Sequence, residues 1–254
     1  MRVSSFARKI HWPFAVGIIA AVWLSPTAVA YGVGERDALW RVVENLCLPM
    51  HRTLGLALPC LEVDATQGFI VLRAPADETR ILVVPTAKIE GIESPALLRS
   101  GTPNLWSIAW SERNRVVASA SRSLAWADIG MAVNSSVSRT QDQLHIHVDC
   151  IDARLKRALS ANVRVISKNW SDLDLRPWAD HYRVKRIGAQ ELDQGIFQMV
   201  ANEIPGARAR MGMQSIAVVG DDGEKGDHDL VVLVNGQGGH AEELLDHECS
   251  KGKK

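Results

Sequence analysis

The chain has 254 residues with 29 basic and 29 acidic side chains, so its formal net charge is zero. The first thirty residues contain three basic and no acidic residues, and without them 26 basic residues face 29 acidic ones, a charge of −3. Such a mildly acidic body lacks the basic surface that nucleic-acid binding requires, so we expect no nucleic-acid partner. The other 224 residues (254 less 30) show no internal repeat or linker and favour one domain.

Residues 1–30 have the features of a targeting segment. Three basic residues precede a mostly apolar run, Trp12–Leu24, and an Ala-x-Ala cleavage pattern ends at Ala30. The segment is read as a signal peptide or an uncleaved N-terminal membrane anchor, with a buried N-terminal helix as the alternative. A positive leader stays inside, so we expect residues 31–254 to form a domain on the periplasmic side of the inner membrane.

All four cysteines lie beyond this leader, at Cys47, Cys60, Cys150 and Cys249. An even count in an oxidising compartment indicates two disulfides, which four cysteines can form in three ways. We favour Cys47 with Cys60, because these two close a short loop, and this choice leaves Cys150 with Cys249. Free buried thiols are the alternative.

The pattern of apolar residues predicts an α+β domain around an antiparallel sheet, because strands and helices occur in separate runs with hairpins. Helices are expected over Arg36–Leu48, from Thr102–Pro103 to about Ala120, and over Asp152–Ala161, Glu191–Ala201 and Ala241–Cys249. Strands are expected over Gly68–Ala74, Arg80–Pro85, Ile129–Val133, Ser215–Val219 and Leu230–Val234, the first two joined as a hairpin.

The stretch Asp142–Cys150 alternates strictly between polar and apolar residues, which predicts a strand with one face on the core. Its polar positions are Gln143, His145, His147 and Asp149, so the two imidazoles project the same way, about 6 to 7 Å apart along the strand. Three interpretations are open. They are a solvated face with two chance histidines, a metal site with Asp149 as third ligand, and nucleophilic attack on phosphorus by a neutral imidazole.

The connector that leads into this strand is rich in hydrogen-bond donors suited to phosphate. It contains Asn134, Ser138 and Gln141, and Arg139 adds a forked guanidinium. Lys88, just beyond a predicted strand end, is a second candidate cation. The alternatives are an ordinary polar turn for the connector and a solvated loop lysine for Lys88.

These residues resemble the active-site strand of the CDP-diacylglycerol pyrophosphatases, a family within the wider histidine triad superfamily. The similarity extends over most of the body, to Trp40–Cys47, Val71–Arg73, Val84–Thr86, Glu93–Pro95, Thr102–Asn104 and, in outline, Asp246–Cys249. The resemblance implies a histidine triad-like antiparallel sheet with flanking helices. It also implies that residues 31–254 hydrolyse CDP-diacylglycerol to CMP and phosphatidate at the inner membrane.

By the same resemblance, His145 is the nucleophile on the cytidylyl phosphorus and His147 holds phosphate oxygens. Gln143 stands where the superfamily usually has a histidine. Its amide can orient a substrate through hydrogen bonds but cannot titrate, so it cannot supply the acid role that a histidine has at this position. The mechanism requires no metal, so we expect no cofactor. A histidine triad hydrolase of a soluble nucleotide and an exported binding protein without turnover stay open as other functions.

Overall fold

The computed structural model describes residues 35–75, 77–222, 228–247 and 249, in which the predicted leader is not included. Within this part of the chain the architecture is α+β, and every strand pairing is antiparallel, as predicted. The sheet has the order β1-β2-β3-β5-β4-β8-β9-β7-β6, and β10 pairs with β5 outside this path. The strands are β1 Glu62–Asp64, β2 Phe69–Arg73, β3 Ile81–Pro85, β4 Ile129–Val133, β5 Ile146–Ile151, β6 Ser171–Leu175, β7 Ala179–Ile187, β8 Ser215–Asp221, β9 Asp229–Asn235 and β10 Leu245–Asp246.

Short helices cover both faces of the sheet. They are α1 Ala38–Val42, α2 Leu48–Leu54, α3 Leu105–Glu112, α4 Asn114–Ser119, α5 Ala153–Ala161 and α6 Ile196–Glu203. A π-helical turn, Val43–Cys47, joins α1 to α2, where Pro49 has no N–H to donate to the helix ladder. Among the described residues, no helix is both long and apolar enough to cross a membrane.

Most predicted elements are confirmed. The predicted hairpin is β2 and β3, and the strand predicted over Ile129–Val133 coincides with β4. Helix α5 begins where the carboxylate of Asp152 accepts a hydrogen bond from the N–H of Arg154 at 2.6 Å, an ordinary N-cap. The helix predicted over Glu191–Ala201 is divided at Gly195, whose φ of 86° ends a 3₁₀ turn before α6 begins.

Two further predicted helices differ from the structure at their start or in kind. The helix after Thr102–Pro103 begins only at Leu105, because the Thr102 hydroxyl donates to the Ala96 carbonyl (2.6 Å) while the side chain of Asn104 caps the helix. The predicted helix Ala241–Cys249 is wrong. A 3₁₀ turn, Ala241–Leu244, is followed by β10, because pairing with β5 satisfies this backbone better than a helix at the chain end.

The histidine strand lies between two hydrophobic clusters on one face of the sheet. Residues directly opposite in an antiparallel pair share a face, and His147 is opposite Leu82 on β3 and Ala132 on β4. Leu82 belongs to a cluster under α1 and α2, whereas Ala132 belongs to a cluster under α5 and the 3₁₀ turn 241–244. The other face is covered by the largest cluster, which contains Trp106 and Phe197. The histidines therefore occupy the seam between the two smaller clusters.

Both predicted disulfides are confirmed. Cys47 is bonded to Cys60, and Cys150 is bonded to Cys249 with their Cα atoms 5.5 Å apart. The second bond joins residues 99 positions apart and holds the C-terminal tail against β5. It acts beside the β10 pairing, in which Asp246 is opposite Cys150. The tail is thereby fixed at the histidine strand by both covalent and backbone contacts.

Candidate active site

The alternation predicted for the histidine strand is confirmed, although the ladder begins only at Ile146. Its apolar residues Leu144, Ile146, Val148 and Cys150 all lie in the largest cluster. The polar residues of the other face are also buried, with relative exposures of 0% for Gln143 and Asp149, 9% for His145 and 6% for His147. The solvated-face interpretation is therefore wrong, because the tail and the hairpin β2–β3 cover this face.

His145 is held as a neutral imidazole in one tautomer. Its Nδ1 lies 2.7 Å from the Gln143 carbonyl oxygen, which can only accept, so the proton sits on Nδ1 and the Nε2 lone pair is left for chemistry. Burial lowers the pKa of His145 below 6.5, against the opposing effect of the Gln143 carbonyl, and the charges of Arg80 and Arg139 lower it further. The ring is consequently unprotonated at neutral pH.

His147 is buried beside it, with the two ring centroids 4.6 Å apart. Burial, followed by the neighbouring His145 and Arg80, lowers the pKa of His147 well below 6.5. Both of its ring nitrogens are buried and make no hydrogen bond within the described structure. The closest ionic group is Glu242, whose Oε2 lies 3.4 Å from Nε2. His147 thus has unused hydrogen-bonding capacity directed into the site.

Glu242 is the central carboxylate of the site, and the sequence analysis missed it. Its Oε2 accepts from Asn134 Nδ2 (3.1 Å), and its backbone N–H donates to Asn134 Oδ1 (3.0 Å). Its Oε1 pairs with the guanidinium of Arg80, and His240 Nε2 lies 3.3 Å from Oε2. Glu242 is 95 residues beyond His147. The predicted Cys150–Cys249 bond and the family resemblance over Asp246–Cys249 pointed to this part of the chain, but neither singled out Glu242.

A cavity of about 200 Å³ opens in front of both histidines. Its cations are Arg73 and Arg80, to which the sequence analysis assigned no role in the site. Arg80 is anchored by Asp77 and Glu242, and Arg73 donates to the Thr79 carbonyl at 2.6 Å. The remaining wall is mixed, with the apolar residues Leu39, Leu72, Ala74, Pro75 and Leu82 and the polar residues Thr140, Gln141 and Glu242. The cavity therefore combines positive charge, two neutral imidazoles and an apolar side.

The predicted cations Lys88 and Arg139 are engaged with carboxylates. Lys88 Nζ lies 3.2 Å from Asp37 in a solvent-exposed pair, and Lys88 does not line the cavity of the histidines. Arg139 is bound by Glu93 at 2.7 Å and by Asp142 at 2.9 Å. It borders a narrower cleft that also reaches His145. Arg139 is thus close to the predicted nucleophile, whereas Lys88 is not part of either lining.

The amide and hydroxyl side chains that were predicted to bind substrate mostly hydrogen-bond to the protein itself. Gln143 donates to the carbonyls of Pro85 (3.1 Å) and Ala87 (3.0 Å) and accepts from Ile89 N–H (3.2 Å). The Ser138 hydroxyl donates to the Gly239 carbonyl at 2.7 Å. Gln141 lines the cavity, and its Oε1 accepts from the N–H of Leu39 at 2.8 Å.

Asp149 does not complete a metal site with the two histidines. Its Oδ1 accepts from Thr79 Oγ1 (2.8 Å) and Cys150 N–H (2.9 Å), and Oδ2 lies 3.8 Å from His247. Among the described residues, the one group of three potential ligands close enough to share an ion is Asp149, Cys150 and Cys249. Both sulfurs of that group form the disulfide and are not thiolates. This group therefore offers a metal only a carboxylate.

Comparison with known proteins decides the family. The family model for CDP-diacylglycerol pyrophosphatase matches residues 34–253. The chain belongs to the CDP-diacylglycerol pyrophosphatase family. A CDP-diacylglycerol pyrophosphatase from Yersinia pestis is 37% identical over 250 residues, which cover 96% of each chain. A family resemblance that the sequence analysis drew from short segments is thus confirmed along the whole described domain.

Among solved structures, a DUF4931 family protein from Bacillus cereus is similar over 69% of this chain and 83% of its own, at 8% identity and a TM-score of 0.45. That similarity is too weak to carry an argument about fold or function. The family assignment rests on the sequence matches.

The buried neutral histidines predict a measurable dependence of stability on pH. The unfolded chain binds a proton on His147 as the pH falls through about 6.5, while the folded protein does not, so the free energy of unfolding should fall below that pH. His147→Gln removes this contribution. The free energy of unfolding is measured by urea titration at several pH values between 7.5 and 5.5. In this variant it should change with pH by up to about 1.4 kcal/mol per pH unit less than in the parent. The same substitution at the exposed His181 is the control, and equal slopes in all three proteins would contradict the prediction.

Proposed function

We propose that the protein hydrolyses CDP-diacylglycerol to CMP and phosphatidate through a covalent intermediate on His145. The activity is supported by membership of the family and by the relative from Yersinia pestis, which carries that name. The observation that supports His145 as the nucleophile is the hydrogen bond of 2.7 Å between its Nδ1 and the Gln143 carbonyl oxygen. It fixes the tautomer in which Nε2 has a free lone pair, on a ring that burial keeps neutral.

The reaction then takes two displacement steps. In the first, Nε2 of His145 forms a bond to the cytidylyl phosphorus while the bond from that phosphorus to the bridging oxygen breaks, releasing phosphatidate. The Gln143 carbonyl accepts a hydrogen bond from Nδ1–H, which stabilises the positive charge that develops on the ring. In the second step water attacks the same phosphorus, the P–N bond breaks, CMP leaves and the proton of the water is released to solvent.

Neighbouring residues stabilise the charge on the phosphate in this scheme. His147 donates to a non-bridging oxygen, using a ring nitrogen that makes no hydrogen bond within the described residues. Arg80 and Arg73 line the cavity and offer positive charge to the pyrophosphate. Glu242 acts as a positioning residue, since it holds Arg80 and lies 3.4 Å from His147. Lys88 is less suited to this role than the sequence alone indicated, because its ammonium pairs with Asp37 outside the cavity.

We also infer that the sheet is histidine triad-like. The support is the polar face Gln143–His145–His147 on a central strand of an antiparallel sheet, with the middle residue at the cavity. Gln143 is fully used in binding the loop after β3, so at this position the protein keeps an anchoring residue instead of a titrating one. Superposition of an experimental structure on histidine triad proteins tests the relationship.

The third part of the proposal concerns location, with the catalytic domain on the periplasmic side of the inner membrane and a membrane as its partner. Two disulfides support an oxidising compartment, and the basic, apolar leader supports export. Protease added to spheroplasts should digest the domain, while in intact cells the outer membrane should protect it. Recovery of the protein in the cytoplasmic fraction, with reduced cysteines, would contradict this location.

Replacing the two histidines should separate their roles. His145→Ala should abolish CMP release, whereas His147→Ala should slow it by about 10²–10³, the cost of one lost donor to a developing charge. Turnover quenched in acid-free conditions should leave a cytidylyl group on the protein that is stable in base and labile in acid. This group should be absent from His145→Ala.

Parallel assays with CDP-diacylglycerol and soluble nucleotides distinguish the lipid hydrolase from a nucleotide hydrolase and from a binding protein without turnover. Near-normal activity of His145→Ala, or loss of activity with chelators and recovery with zinc, would instead support a metal-dependent mechanism.

Glu242 and its neighbour Glu243 provide a matched pair for the positioning role. Glu242→Gln should lower kcat by about 10²-fold, because a misplaced His147 or Arg80 costs transition-state contacts. Glu243→Gln should leave kcat unchanged, because the Glu243 side chain is 61% exposed on the same 3₁₀ turn. The measurement is steady-state CMP release together with thermal unfolding of both variants. If Glu242→Gln is less stable than the parent but has the same kcat, the residue has a structural role only.

A further inference from the structure

Exposed leucines are concentrated in one short segment far along the chain from the histidine strand. Leu54, Leu56, Leu58 and Leu61 are 64%, 47%, 63% and 38% exposed. The other large hydrophobic residues exposed in the described structure are three valines, each alone in its part of the chain: Val117, Val137 and Val165. Single exposed apolar residues are ordinary, whereas a cluster of them marks a surface that contacts something apolar. We call residues 54–61 the leucine segment.

The leucine segment is held outward by its anchors. Helix α2 ends at Gly55, whose φ of 67° turns the chain away from the helix in a left-handed conformation. At the other end, Cys60 is buried and bonded to Cys47, and the N–H of Leu61 donates to the Val71 carbonyl at 2.8 Å. The bond at the base prevents the leucines from folding back into the cluster under α1 and α2. Their exposure is therefore built into the fold.

The charge around the segment favours an anionic surface. No acidic residue occurs between Glu44 and Glu62, and Glu62 pairs with Arg115, which also binds Glu112. The last turn of α2 carries His51 and the exposed Arg52. The segment itself contains no acidic residue and follows the exposed Arg52, a pattern suited to the interface of a bilayer with anionic lipids.

We propose that the leucine segment docks the domain on a lipid bilayer, with the leucines among the upper acyl chains and Arg52 at the phosphates. This inference rests on the proposed function, in which the substrate is a lipid that resides in a bilayer. The segment is continuous with the site, since Leu39, Leu72 and Leu82 line the cavity and belong to the same cluster as Cys47 and Cys60. The apolar wall of the cavity and the anchor of the leucine segment are thus parts of one packed cluster.

The first experiment measures insertion in the full chain. A Leu56→Cys variant is labelled with an environment-sensitive fluorophore without reducing agent, after peptide mapping shows both native disulfides. Vesicles of phosphatidylethanolamine and phosphatidylglycerol carry nitroxide groups on their acyl chains. Strong quenching of the label at position 56 is expected, with little quenching of the same label at the exposed Val165→Cys control. Equal quenching at both positions, or none at either, would overturn the docking of this segment.

The second experiment separates docking from catalysis. The triple variant Leu54→Ser, Leu56→Ser, Leu58→Ser should raise the KM for CDP-diacylglycerol in vesicles by about tenfold or more, from the transfer energy of leucine side chains. Its kcat/KM for a water-soluble short-chain CDP-diacylglycerol should match that of the parent. The control Val165→Ser should match the parent with both substrates.

If the triple variant is as active as the parent on vesicles, the inference is overturned and the proposed function is left intact. A parent that hydrolyses neither substrate refutes the proposed function. A parent dimer that the triple variant converts to a monomer, without quenching at position 56, would identify a second copy as the occupant and overturn the bilayer proposal.

Discussion

The site depends on the burial of a polar strand face. Four polar side chains of the histidine strand are less than a tenth exposed, and a buried polar group costs about 1–3 kcal/mol unless it finds a partner. Gln143 is satisfied by three backbone groups of the loop after β3, and Asp149 by Thr79 and its neighbour's N–H. His145 uses one nitrogen on Gln143. Gln143 is therefore saturated, whereas the unused capacity lies on the two histidines and on Oδ2 of Asp149, which is buried without a hydrogen bond within the described structure.

That concentration arises from the position of β5 between two hydrophobic clusters. The cluster under α1 and α2 ends at Leu82, and the cluster under α5 begins at Ala132, so neither supplies a side chain that packs fully over His147. The tail approaches this seam because β10 and the Cys150–Cys249 bond fix it to β5. Glu242 reaches His147 as a consequence. A link between residues 99 positions apart thus shapes the electrostatics of the cavity.

Sequence patterns predicted the features that depend on neighbouring residues, but not those that depend on contacts between distant parts of the chain. The alternation of residues 142–150 was sufficient to predict a strand, its two faces and the neighbouring histidines, and the even cysteine count gave both disulfides. Glu242 and Arg80 could not be found this way, because their importance comes from contacts 95 and 162 residues away in sequence. The strands β6 and β7 were not predicted, although in Ser171–Leu175 exposed aspartates alternate with buried leucines, a period-two pattern that indicates a strand. The helix start predicted at Thr102 was wrong because the Thr102 hydroxyl, which was expected to cap the helix, donates a hydrogen bond to the Ala96 carbonyl.

The cations near the site have a second effect besides attracting phosphate. A histidine that attacks phosphorus must be unprotonated, and Arg80 and Arg139 both lower the pKa of His145, adding to the effect of burial. Glu242 pairs with Arg80, and Glu93 and Asp142 pair with Arg139. Arg73 is held by the Thr79 carbonyl and the Ser119 hydroxyl, so the cavity wall keeps a positive charge. The leaving group of the proposed reaction is a phosphate ester, a weak base that departs without a proton. A site built for this reaction therefore needs fixed cations and neutral imidazoles more than an acid, and Gln143, which cannot titrate, is compatible with that requirement.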